Sequence, residues 1–142
     1  MPFGKALSLV AEAVNMPFGY TLAVWSSATI TSDRFGLPDL LEIFAFLFGA
    51  IGAYLALALH SAEYIGPTMP LKARRATLIN VASVVAAILV TLVVRLAPFP
   101  SAWSGFLVAG FMSTLVYMLV LALLLWLHAR GVPPEQPKPR LH

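Results

Sequence analysis

Three long apolar runs constrain this chain more than any other feature. Leu40–Leu59 carries one charge, Glu42, while Ala76–Val94 and Trp103–Leu127 carry none. A helix needs roughly 20 mostly apolar residues to cross about 30 Å of hydrocarbon. Water is absent at that depth, so each backbone N–H and C=O must pair within the protein, and runs of this kind fold as helices. Composition agrees. Of 142 residues 60% are hydrophobic and 11% charged, against about 25% charged in a soluble domain. A soluble globular domain, a disordered chain and a nucleic-acid binder of the usual kind are excluded. Cysteine is absent, which removes disulfides, thiolate metal sites and cysteine nucleophiles.

A fourth segment, Ala6–Ile30, is more polar. It contains Glu12, Asn15, Pro17, Gly19, Thr21, Ser26, Ser27 and Thr29. Lys5 alone makes a poor signal-peptide n-region, and Glu12 and Pro17 interrupt any apolar core, so the segment is expected to stay in the chain. Pro17 cannot donate to a helix ladder and disfavours helical geometry at the residue before it. The spacing therefore predicts a short helix over Phe3–Asn15 and a restart near Pro17. The expected fold is an all-α integral membrane protein: a four-transmembrane-helix bundle with a discontinuous first helix, one domain over residues 1–130. Residues 131–142 hold four prolines and read as a solvated, disordered cytoplasmic tail.

The connections carry local signals. Pro38 suits a first helical turn, and Asp39 with Glu42 has the spacing of a capping box. Cations set the expected topology. With four spans, Lys5, Lys72, Arg74, Arg75, Arg130, Lys138 and Arg140 fall on one side, and Arg34 and Arg95 on the other. That split puts both termini in the cytoplasm of a multi-pass protein, with the bacterial plasma (inner) membrane as the expected location. Trp103 and Trp126 are about 34 Å apart along a helix, one near each interface. Arg34, Pro38, Phe44 and Gly49 resemble Arg95, Pro100, Phe106 and Gly110 at an offset of 61 or 62. Four matches with a one-residue slip are within what two helix starts in one bilayer share by chance.

Small residues mark packing faces. Gly49 and Ala53 belong to such a stripe on the second helix, and Gly105, Ala109 and Ser113 repeat at four-residue spacing on the fourth. Small side chains let helix backbones approach closely in lipid. On the third, Asn80, Ser83, Ala87, Thr91 and Arg95 form a modestly polar seam.

Candidate functional residues gather in the first segment. Glu12 is the one carboxylate well separated from a loop, and an intramembrane acid is a functional candidate; at the interface it would instead pair with Lys5. Glu12, Asn15, Tyr20, Thr21, Ser26 and Ser27 suit a solute or ion path in a small oligomeric channel or transporter. The alternative is a non-catalytic membrane subunit or scaffold of a larger complex. A b-type haem or metal protein using His60 and His128 is a remote third class. No nucleophile–base set stands out, so an enzyme is not expected, and neither is a cofactor. Expected partners are the lipid bilayer and either further copies or other membrane subunits, not nucleic acid.

Overall fold

The structure is a computed structural model. It describes the backbone of residues 3–61 and 73–130, with side chains for 18–57, 59 and 76–127. Four α-helices follow one another: α1 (Phe3–Phe35), α2 (Leu40–Ser61), α3 (Ala73–Leu96) and α4 (Ala102–Arg130). Three of them, α2, α3 and α4, contain windows long and apolar enough to cross a membrane. In α1 the threonines, serines, Asp33 and Arg34 dilute the apolar content.

The expected interruption of the first helix does not appear. α1 is helical from Phe3 to Phe35, straight through Pro17. One proline removes one ladder hydrogen bond. The turns that follow it are buried at Gly19, Ala23, Ser27 and Thr31, and packing of that kind lets a helix continue past a proline. α1 also runs five residues past Ile30, the end of the segment read from sequence.

Helix ends follow local chemistry. Gly36, at φ +91°, closes α1, and its N–H donates to the Ser32 carbonyl at 2.8 Å; only glycine adopts that φ without strain. At the start of α2 the capping box forms in both directions. Glu42 N–H donates to Asp39 Oδ1 at 2.9 Å, and Asp39 N–H donates to Glu42 Oε2 at 3.0 Å. Ser101 precedes α4, its carbonyl accepting from Gly105 N–H at 3.3 Å and from the Ser104 hydroxyl at 2.8 Å.

α4 is the hub. It packs against α2, α3 and α1, and α1 packs against α3, whereas α2 is docked almost entirely on α4. The α2·α4 crossing is reciprocal. A Cβ on Gly49 would collide with the Leu107 carbonyl oxygen and lie 2.9 Å from Phe111 N; one on Gly110 would collide with the Phe46 carbonyl oxygen. Each glycine thus seats against the other helix's backbone. Dispersion between closely approaching backbones drives association in lipid, where helices gain little from leaving an apolar solvent. Ala45, Phe46, Phe106 and Ala109 form the core there, with Val24, Ala28, Phe35, Val94 and Leu107 around it. Ala53, Gly105 and Ser113 are buried too.

Candidate functional site

Every fourth residue on α1 from Gly19 is buried: Ala23, Ser27 and Thr31 follow. On α3 the buried set is Asn80, Ser83, Ala87 and Thr91. The two helices run parallel and in register, joined near one end of α3 by Gly19 against Asn80 and at the other by Arg34 against the Arg95 carbonyl. A polar seam runs between them, in three parts.

At the Asn80 end, α1, α3 and α4 meet. The Tyr117 hydroxyl donates to Asn80 Oδ1 at 2.6 Å, and the Tyr20 hydroxyl lies 3.2 Å from Thr114 Oγ1. The two tyrosine rings pack at 5.6 Å between centroids, tilted by 53°. Gly19 makes room for this group, because a Cβ there would overlap the Asn80 carboxamide.

In the middle, Thr91 Oγ1 sits 2.9 Å from both Ser27 Oγ and the Ala87 carbonyl. Thr91 Oγ1 is the donor in both contacts, and its single proton serves one of the two acceptors at a time. The Thr31 hydroxyl donates to the Ser27 carbonyl at 2.8 Å.

At the far end the arginines cross over. Arg34 Nη1 donates to the Arg95 and Ala97 carbonyls, the latter at 2.6 Å, capping the C-terminus of α3. Its guanidinium stacks over Phe35 at 4.8 Å from the centroid. Arg95 pairs with Asp33 at 2.6 Å. That pair is well exposed, so Asp33→Asn should cost under about 1 kcal/mol in a denaturant titration. Arg34→Met, which leaves two helix-end carbonyls without their donor and removes the stacking, should cost more, about 1–2 kcal/mol.

No described side-chain nitrogen or oxygen is buried without a partner. The seam is therefore a closed hydrogen-bonded joint in which each polar group is answered by another helix or by its own.

The sequence-selected residues divide. Tyr20 and Ser27 turn inward to the joint, Thr21 is exposed, and Ser26 is half-buried. The side chains of Glu12 and Asn15 lie outside the described residues, as do those of His60 and His128 and the whole of the 131–142 tail. Counted along α1 from the Gly19–Asn80 contact, Glu12 falls level with Ala73, the first residue of α3.

Two features emerge only from the structure. One is an open cleft of about 480 Å³ between α1 and α2, lined by Val24, Trp25, Ala28, Ile43, Phe46 and Phe106 among others. It exists because α2 leans on α4 and leaves α1 uncovered. The other is the exposure of Trp25, 71% on that side.

Comparison with protein-family models, with characterised proteins and with solved structures finds no match.

Proposed function

We propose that this chain is a non-catalytic membrane subunit, a helical body that associates with other membrane-embedded protein, with α1 as a fourth span and both termini in the cytoplasm. The observation that carries it is the closed seam. Among the described residues, the polar groups that α1, α3 and α4 turn toward one another are paired with another helix or with their own, so the described seam offers no open polar path. The described acids have structural work of the same kind: Asp39 and Glu42 cap α2, and Asp33 pairs with Arg95. The register of α1 against α3 supports a fourth span. It sets residues 15–35 beside the apolar window Ala76–Leu96, a stretch of about 30 Å.

A second function, an oligomeric channel or small-solute transporter, is favoured by one observation: Thr21 and Thr29 remain exposed on the outer face of α1. Any path would then run between copies along that face. Proteoliposomes separate the two. The subunit function expects no flux above protein-free vesicles under ion or small-neutral-solute gradients. Saturable flux, lost when Thr21 or Thr29 is made bulky, would overturn it in favour of the channel.

Topology is tested independently. The chain lacks cysteine, so Leu37→Cys and Arg74→Cys each give a unique thiol. An impermeant reagent outside intact cells should label the first and not the second; equal labelling sinks the four-span arrangement.

A further inference from the structure

We infer that two copies of this chain associate through the outer face of α1, with the Trp25 indole of each donating to the Thr29 hydroxyl oxygen of the other. The inference rests on α1 being a span and names the partner that the subunit function leaves open.

Depth comes first. The register that sets Gly19 against Asn80 and Arg34 against Arg95 places Trp25 level with Ala86, the midpoint of the Ala76–Leu96 window. Tryptophan favours the membrane–water interface, where its N–H meets water and headgroups. Here it stands at mid-depth, 71% exposed, and its indole N–H meets no acceptor among the described residues. Acyl chains offer none either, and an unpaired donor in hydrocarbon is costly. The occupant of this face must therefore bring an acceptor to the centre of the bilayer.

A second copy does so. Thr29 lies one turn from Trp25 on the same face and is also exposed. Its hydroxyl proton is committed to the Trp25 carbonyl at 2.9 Å, which fixes the oxygen and leaves a lone pair facing out. Donor and acceptor thus sit side by side on one stripe with Phe18 and Leu22, the self-complementary pattern that a two-fold interface requires. Trp25 and Thr29 also line the α1 wall of the open cleft, so the second copy's α1 would cover its mouth.

The test uses the full chain in lipid vesicles. Oxidation of Leu22→Cys should yield a disulfide-linked dimer, whereas Leu55→Cys on α2 and Leu89→Cys on α3 should not. Trp25→Phe keeps the ring and removes the N–H; Thr29→Val removes the acceptor. An interhelical hydrogen bond in a membrane is worth about threefold in equilibrium constant, and the dimer has two, so each variant should weaken association about tenfold. The double variant should be no weaker than either single one, because both remove the same bonds. Helical circular dichroism should be unchanged, since both side chains are exposed. Wild-type association in Trp25→Phe, or cross-linking through α2 or α3 but not Leu22, would overturn the α1 interface. Neither result bears on the subunit function, which stands or falls on flux.

Discussion

Gly49→Ala and Gly110→Ala are each expected to destabilise the protein by about 2 kcal/mol or more, although alanine is the better helix former. The added methyl group at either site meets main chain rather than a movable side chain: the Leu107 carbonyl and Phe111 N at Gly49, the Phe46 carbonyl at Gly110. Neither backbone can step aside without moving its helix. Overpacking of this kind costs about 1–3 kcal/mol and more where nothing relaxes, which outweighs the gain of about 1 kcal/mol from helix propensity. α2 has little besides α4 to hold it, so separation at the crossing threatens its whole attachment. Gly52→Ala is the control. One turn away, its Cβ would meet only Phe111 Cδ2 at 3.8 Å, an ordinary contact, and propensity should make it neutral or slightly stabilising. Denaturant titration in mixed micelles checks all three. Equal behaviour of Gly49→Ala and Gly52→Ala would show that the crossing is not tight.

Gly19→Ala is the second substitution expected to cost heavily, about 3 kcal/mol. Its methyl group would occupy the space of the Asn80 carboxamide. Asn80 must then withdraw, and Tyr117, buried with its hydroxyl donating to Asn80 Oδ1, loses that bond. A buried hydrogen bond contributes about 0.5–1.5 kcal/mol, and the steric term of about 1–3 kcal/mol adds to it. Asn80→Ala alone should also destabilise, through the same lost bond. The two together should be less damaging than the sum by about 1 kcal/mol or more, because the second removes the group with which the first collides. Strict additivity would mean that Gly19 and Asn80 do not meet.

How far the sequence reaches can be judged residue by residue. The capping box at Asp39 and Glu42 was legible from spacing alone, and both of its hydrogen bonds form. The polar positions of α3 at Asn80, Ser83 and Thr91 share a face in the sequence and are buried together in the structure. Pro17 was misleading. Its rule concerns a local ladder, and packing of the turns that follow it carried α1 through. Tyr20, Thr21, Ser26 and Ser27 stand on several faces of one helix, and the sequence does not say which face is buried. Ser27 met Thr91 while Thr21 faced outward. Trp25 stands among the polar-tipped residues of the first segment in the sequence, but its exposure is set by where α2 stands.

The sequence by itself determined that α2, α3 and α4 are apolar helices long enough for a bilayer, and where α2 begins. These are local matters: run length, and caps that reach three or four residues. Only the tertiary structure decided that α1 and α3 pair in register through a hydroxyl seam, that α2 rests mainly on α4, and that a cleft opens beside Trp25. In an apolar medium a helix has several outer faces of nearly equal apolarity. Which one is buried depends on where a neighbouring backbone can approach closely, as Gly49 and Gly110 allow, and where a polar group finds its partner on another helix.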